Sequence, residues 1–364
     1  MHDVESASVG RVPETGRGLK GELATGPERV GRLVGPALGI VSLLLFLLLA
    51  EVLLRALGYD HLYVNPQPAK FWRHDALLGW HHQAEASGVF DHRPQFLTRI
   101  RINHKGLRGK DYPYERVAGK RRVLVLGDSL VFGYGVEQDE VFTDVLEGML
   151  PATEVINAGV SGYGTDQELL WFRSEGVRYR PDLVIILMTG NDEWENHESL
   201  VYWFYPKPHF TLSDRGELRL TNVPVPPPPV GRQLWTWVLR HSRTAYQTHL
   251  LLTSAFPGAP PAGDNYALTL ALVDELKREV TAIGARLLVA TTFRFWPRED
   301  PNGYERYGEL VQRLRQRGLA TLDVDGAKGY TPDEMIIKDE GHWNALGHRF
   351  VARLIEPVIR GERP

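Results

Sequence analysis

The chain has no cysteine. That absence excludes a disulfide-stapled scaffold, a thiol nucleophile and any thiolate-held zinc or iron–sulfur centre. It leaves the compartment open, because a chain without thiols suits either side of a membrane. An excess of one charge is also lacking: 42 Lys and Arg stand against 45 Asp and Glu, a net of −3. Such a balance offers no footprint for nucleic acid. The phosphate-binding signatures are missing too. No G-x-x-x-x-G-K-[ST] occurs, and Gly159-x-x-Gly162-x-Gly164 is not the G-x-G-x-x-G that opens a dinucleotide-binding helix. A mean hydropathy of −0.25 excludes a polytopic membrane protein. The 364 residues are 43% hydrophobic and 24% charged, the composition of a folded globular chain.

One run departs from that average. Leu33 to Ala50 carries no charge, and Val52-Leu-Leu54 follows Glu51. Eighteen helical residues cover about 27 Å, and continuation to Leu54 about 33 Å, against a hydrocarbon core of ~30 Å. A buried core helix would show a polar face. A cleaved signal peptide would have a shorter leader and a small-residue cleavage site, where Glu51 and Arg55 stand instead. Residues 33–57 are therefore expected to be an uncleaved membrane anchor. Arg11, Arg17, Lys20, Arg29 and Arg32 precede it, and only Arg55 lies close behind. The positive-inside rule then keeps the N-terminus cytoplasmic and exports everything after Gly58 to the periplasm or cell surface. Residues 1–32, rich in Gly, Glu, Arg and Ser/Thr, read as a disordered cytoplasmic tail.

Residues 58–120 show no long periodic run and read as an extension packed on the main domain. Asn103-His-Lys-Gly-Leu-Arg-Gly109 looks like a turn-rich ordered loop. The pair His81-His82 gives no metal site on this reading, since adjacent side chains point apart and no carboxylate stands at ligand spacing. No metal or cofactor is expected.

From residue 121 the pattern becomes regular. Arg122-Val-Leu-Val-Leu126 is a continuous apolar run ending at Gly127, which suits a strand buried on both faces. Val155-Ile156, Leu183 to Met188, Leu287 to Ala290 and Ala320 to Val324 give four more strands. Helical spacing recurs between them at Val141 to Met149, from a Thr165 or Asp166 cap to Phe172, at Leu268 to Val280 and at Tyr307 to Leu314. A last helix begins near Leu346 and is expected to stop at Pro357. Alternating strands and helices predict a three-layer α/β/α sandwich on a five-stranded parallel sheet. Residues of about 195–263 interrupt the alternation. They hold Tyr202-Trp-Phe-Tyr205, a run of prolines, a helix expected from Arg232 to Leu252 and a turn at Asp214-Arg-Gly216 joining two short strands. The insertion is either a decorative subdomain or a lid over the strand ends.

Ligands of such sheets bind at the carboxyl ends of the strands. Gly127-Asp-Ser129, Asn157 to Gly164, Gly190-Asn-Asp192 and Asp323-Val-Asp325 all fall there. Ser129 sits between a buried strand and a helix, where its hydroxyl needs a base to act as a nucleophile. Asp339-Glu-Gly-His342 supplies one: a loop lets Asp339 hold the imidazole Nδ1–H while Nε2 takes the Ser129 proton. His348 is the competing base. Gly162, through its N–H, and Asn191, through its amide, are candidate donors to an oxyanion. Alternatively, the glycines are turn residues and Asn191-Asp192 a helix cap.

The ordered set Gly127-Asp-Ser-Leu130, Asn157 to Gly162, Gly190-Asn-Asp192 and Asp339-x-x-His342 resembles the four blocks of the SGNH/GDSL hydrolase superfamily, over residues 121–364. The resemblance implies a flavodoxin-like fold without metal or cofactor. It makes Ser129 the nucleophile and first oxyanion donor, and Gly162 and Asn191 the second and third donors. His342 becomes the base and Asp339 its orienting acid. Val131, where many members have a small polar residue, departs slightly from the pattern. The reaction implied is hydrolysis of an acyl ester through an acyl-enzyme, with an acylated cell-envelope glycan or lipid as substrate. Two other readings stand beside it. An O-acyltransferase would use the same triad with a sugar hydroxyl replacing water. A tethered binding or scaffold protein would keep the residues without the chemistry.

Overall fold

In the computed structural model the sheet is built from Arg121–Gly127 (β5), Thr153–Gly159 (β6), Leu183–Thr189 (β7), Arg286–Thr292 (β12) and Ala320–Asp323 (β13). Residues 27–59, 71–93, 95–201, 205–255, 266–293, 301–338 and 340–362 are described. The strands lie in the order β13-β12-β7-β5-β6, and every pairing is parallel. This is the flavodoxin-like order with β5 first in the chain. It arises because Val, Ile and Leu leave each of the central strands apolar on both faces. Leu124, Leu126, Ile156, Val184 and Ile186 point to one face, and Val123, Val125, Val155, Ile185 and Leu187 to the other. Each such buried side chain is worth roughly 1.5–3 kcal/mol.

Helices cover both faces. Thr165–Ser174 (α4), Ala267–Ala282 (α8) and Pro301–Gln316 (α9) pack on the first. Phe142–Met149 (α3) and Ala345–Arg360 (α11) pack on the second. Two expectations about helix ends change. The cap of α4 is Gly164, because the Thr165 and Asp166 side chains are drawn to other partners: Thr165 Oγ1 bonds Asp192 and Asp166 meets Lys207. Pro357 does not stop α11, which runs on to Arg360 and closes at Gly361 in the left-handed region, φ +107°. A proline in the last turn removes only one amide, and the cap supplies bonds to the carbonyls of Pro357 and Val358.

The segment before the sheet contains two antiparallel hairpins. The first pairs Trp72–Asp75 (β1) with Gly79–His82 (β2), and the second pairs Ser87–His92 (β3) with Phe96–Arg101 (β4). Phe71, Phe90, Phe96, Ile100 and Ile102 form a core of their own with Phe132 of the main domain. Among the described residues between β7 and β12 lie four short strands: Leu200–Val201 (β8), Tyr205–Pro206 (β9), His209–Leu212 (β10) and Leu218–Thr221 (β11). The turn at Asp214-Arg-Gly216 joins β10 to β11. The single helix expected there is two, Val230–His241 (α6) and Arg243–Ala255 (α7). Ser242 breaks it with an extended backbone and an Oγ that accepts from the Ala245 amide at 3.1 Å.

The chain divides into two units, Met1–Asp60 and His61–Pro364. Within the first, Pro27–Ala56 (α1) is one helix. Its stretch Val34–Ala56 has a hydropathy of 2.7, is long and apolar enough to cross a membrane, and is not buried. Arg55 Nε meets Glu51 Oε1 at 2.8 Å, one turn apart, which offsets the two charges near its end. Of the tail expected over residues 1–32, residues 1–26 lie outside the described residues and 27–32 belong to α1.

Candidate active site

Three strand ends meet at one edge of the sheet. Gly127 of β5 is level with Gly159 of β6 on one side and Leu187 of β7 on the other. Ser129, Gly162 and Asn191 therefore follow neighbouring strands by two or three residues. The turn into Ser129–Phe132 (α2) needs a glycine: a Cβ on Gly127 would stand 2.2 Å from Val131 Cγ2. Asp128 caps α2 by accepting from the Leu130 amide at 2.9 Å. Asn157 locks the same turn from below, its Nδ2 donating to Val131 O at 2.7 Å. The side chain of Ser129 stays partly exposed between these buried supports.

His342 completes the pair. Its Nε2 lies 2.7 Å from Ser129 Oγ. On the other side of the ring Nδ1 lies 2.8 Å from both oxygens of Glu340, and Glu340 Oε2 also accepts from the His342 amide at 3.0 Å. Gly341 makes this two-residue reach possible with φ +101°. The loop is held by the buried Trp343, whose Nε1 donates to Tyr330 Oη at 3.0 Å, and by Ile337 N donating to His342 O at 2.7 Å. Burial alone would raise the Glu340 carboxyl, but attraction to His342 and the hydrogen bonds from it outweigh that and hold it below the ordinary range. Asp339, expected as the orienting acid, lies outside the described residues.

The oxyanion candidates are placed as follows. Gly162 sits in the turn after β6 with φ +79°, a conformation that favours glycine. Val160 N donates to Gly127 O at 3.0 Å, which ties this turn to the strand that carries Ser129. Asn191 Nδ2 donates to Glu195 Oε2 at 2.9 Å, and its Oδ1 accepts from Thr189 Oγ1 at 2.6 Å. A primary amide carries two donor protons, and in this resting state Asn191 hydrogen-bonds Asp128 as well as Glu195. Beneath it Asp192 accepts from the amides of Thr165 and Thr189, at 2.8 and 2.7 Å, joining the two loops. Burial pushes the Asp192 carboxyl up to about 7, and burial raises Asp128 as well.

The remaining histidines take other places. His348 is fully buried, accepts from the Phe142 amide at 3.2 Å and is pushed down to about 3 by burial. That bond takes its Nδ1, so it serves as packing between α3 and α11. His82 donates through Nδ1 to Gly106 O at 2.9 Å, and His81 lies 3.3 Å from Tyr163 Oη. Asp323 and Asp325 also stand at the sheet edge, and Asp325 accepts from Thr292 Oγ1 and from the Phe293 amide at 3.0 and 2.6 Å. Asp325 thus holds the end of β12 and the loop after it, while Asp323 accepts from Tyr307 Oη and the Gly326 amide.

Both loops of the site rest on the hairpins upstream, which sequence reasoning missed. Trp80 Nε1 donates to Ser161 O at 3.1 Å, and Tyr163 Oη donates to Trp80 O at 2.5 Å, so β2 clamps the Gly162 turn. The Tyr134 ring lies 4.5 Å from the His342 ring, and its hydroxyl lies 3.1 Å from His92 Nδ1 on β3. Arg108, from the Asn103–Gly109 loop, donates to the carbonyls of Phe132 and Val136 at 3.0 and 2.6 Å. It also bonds Gly133 O, and thereby caps the end of α2. The one advance signal was the ordered look of the Asn103–Gly109 loop.

Residues 125–350 match the model of the GDSL-like Lipase/Acylhydrolase family. No curated protein matches the chain. Among solved structures it is similar to TesA, at 16% identity and a TM-score of 0.39, covering 66% of this chain and 98% of that one. A catalytic mutant of Axe2, an acetylxylan esterase from Geobacillus stearothermophilus, shows 16% identity and a TM-score of 0.38, covering 68% and 98%. A member of the lipolytic protein G-D-S-L family from Veillonella parvula shows 12% identity and a TM-score of 0.40, covering 66% and 100%.

Proposed function

The chain belongs to the GDSL-like lipase/acylhydrolase family, and from that premise we propose that it is a membrane-anchored serine esterase acting on an acyl ester of a cell-envelope glycan or lipid. The observation that carries the mechanism is the line from Ser129 Oγ through the His342 ring to Glu340. Ser129 Oγ attacks the ester carbonyl as its proton passes to His342 Nε2. The developing oxyanion is met by the backbone N–H of Ser129, the N–H of Gly162 and the Asn191 amide, which turns to it from its resting partners Glu195 and Asp128. His342 then returns the proton to the departing alkoxide, leaving an acyl-Ser129. A water enters and attacks the acyl carbon as its proton passes to the same nitrogen; the C–Oγ bond then breaks, His342 returns the proton to Ser129 Oγ, and the acid leaves. Glu340 keeps the imidazole in the tautomer with Nε2 free and stabilises the imidazolium. Asp339 stands for that role on motif spacing, and Glu340 on geometry.

The substrate class rests on the anchor and on aromatic surface. Val34–Ala56 would hold the enzyme at a membrane, and the flanking charges favour an exported catalytic domain. Trp194, 44% exposed and three residues beyond Asn191, offers a face on which a sugar ring can stack. Of the aromatic cluster in the insertion, residues 202–204 lie outside the described residues and Tyr205 packs on Trp80, with ring centroids 5.7 Å apart. An alkyl fluorophosphonate tests the nucleophile. Wild type should be labelled and Ser129→Ala should not. Persistent labelling of Ser129→Ala, or none of wild type, would overturn the assignment.

A further inference from the structure

The insertion sends one charged side chain into the interior of the catalytic domain. Lys207 follows β9, and Pro208 after it restricts its backbone. Its amide donates to Ser199 O at 3.0 Å, and its carbonyl accepts from Asn222 Nδ2 at 2.6 Å. Gly79, the first residue of β2, presses on it: a Cβ there would stand 3.2 Å from Lys207 Cα. The Lys207 side chain is fully buried, as is that of Asp166. Lys207 Nζ lies 2.8 and 2.6 Å from the two oxygens of Asp166 and 2.8 Å from Glu195 O. An ammonium has three protons, and these contacts use all three. Asp166 stands in the first turn of α4, just past the Gly162 turn. Glu195 closes the short helix Asp192–Glu195 (α5), which begins directly after Asn191.

We propose that Lys207 is a positioning residue for the oxyanion hole: it pins α5 to α4 and so sets the separation of the Gly162 N–H and the Asn191 amide. The two segments touch directly. A Cβ on Gly164 would stand 3.0 Å from Asn196 Oδ1 and 3.5 Å from Glu195 Cβ, and Asp166 N donates to Asn196 Oδ1 at 3.2 Å. Asp192 ties the same two segments at their near end, through the amides of Thr165 and Thr189. Lys207 ties them at the far end. The Asn191 side chain can then turn between its resting partners and an oxyanion about a backbone that stays in place. A buried ion pair adds little stability over apolar side chains of the same volume, and its best-attested use is to fix one register. Lys207 comes from outside the five-stranded sheet, so the insertion belongs to the catalytic framework and is not decoration. This role rests on the esterase reading and extends it.

Lys207→Met combined with Asp166→Asn removes both charges at nearly constant volume, so no ion is left buried alone. Turnover of p-nitrophenyl acetate by the full chain is referred to the sites that a fluorophosphonate titrates, which leaves unfolded molecules uncounted. The double variant should lose roughly 10–10²-fold in kcat, with KM within about threefold of wild type. In an Asn191→Ala background no Asn191 amide is left to misplace, and the same two changes should cost less than about threefold. A kcat near wild type would overturn the proposal. So would a rise in KM alone, or a kcat loss undiminished in Asn191→Ala, which is what a merely structural pair would give. Asp166→Asn by itself keeps the ammonium and its bond to Glu195 O. It should show a smaller loss of the same kind, and it decides by the same criteria if the double variant does not fold. A wild type that neither labels nor turns over would sink the esterase reading and this role together. With wild type active, each adverse outcome removes the role of Lys207 and leaves the esterase reading standing.

Discussion

The carboxylate of Glu340 meets the ring of His342 with both oxygens, 2.8 Å each from Nδ1, from only two residues upstream. The expected acid was the third residue upstream, Asp339. A pair of variants assigns the role. Glu340→Gln keeps size but cannot fix the tautomer, and should lower kcat roughly 10²–10⁴-fold. Asp339→Asn should cost about tenfold or less. Steady-state hydrolysis of p-nitrophenyl acetate reads both. A large loss on Asp339→Asn with a small one on Glu340→Gln would give the role to Asp339.

Tyr134 acts on the same imidazole from its face. Its ring is flanked edge-on by Phe90 and Phe96, at 5.1 and 5.0 Å, so it cannot swing away. Tyr134→Ala frees the His342 ring to rotate, and a misplacement of about 1 Å can cost roughly 10²-fold in rate. The loss should fall on kcat with KM little changed. Tyr134→Phe retains the ring and should restore most of the rate. If Tyr134→Ala matches wild type in kcat, the ring is only packing.

The sheet was legible because its strands are buried on both faces and read as unbroken Val, Ile and Leu runs between glycines. The Ser129–His342 pair was legible because each sits in a motif at a strand or helix end. What was not legible depends on contacts between distant residues. Nothing local in Trp80 points to Ser161, and nothing in His92 points to Tyr134. The strands of their hairpins are only four to six residues long, too short for periodicity to declare them. The break at Ser242 was hidden for the opposite reason, since apolar spacing continues across it and only the hydroxyl cap marks the stop.

Arg108 joins the upstream loop to the nucleophile's helix. It is buried, and burial lowers it to about 10, still well above neutrality, so it donates as a cation to three carbonyls around the end of α2. Removing it takes that donor from the Phe132 and Val136 carbonyls, while Gly133 O keeps the Val136 amide. Arg108→Met should lower stability by roughly 2–4 kcal/mol, read as a shift in the urea midpoint. Arg108→Lys should recover little, because a single ammonium cannot reproduce the planar fork. A loss under about 1 kcal/mol for Arg108→Met would show that water satisfies the carbonyls equally well.

Glu168 lies under the site with neither carboxylate oxygen hydrogen-bonded. Burial, reinforced by the nearby carboxylates of Asp192 and Asp128, raises its pKa well above the ordinary 4.5. The sign of the consequence is fixed. Above that ordinary value the unfolded chain releases a proton that the folded chain keeps, so folding is penalised increasingly as the pH rises. One such group costs up to about 1.4 kcal/mol for each pH unit. Glu168→Gln removes the titration and should raise the thermal midpoint at about pH 8, with the gain shrinking toward zero as the pH falls to the ordinary carboxylate value. A gain independent of pH, or a loss at about pH 8, would mean that the carboxylate is ionised and held by partners on folding.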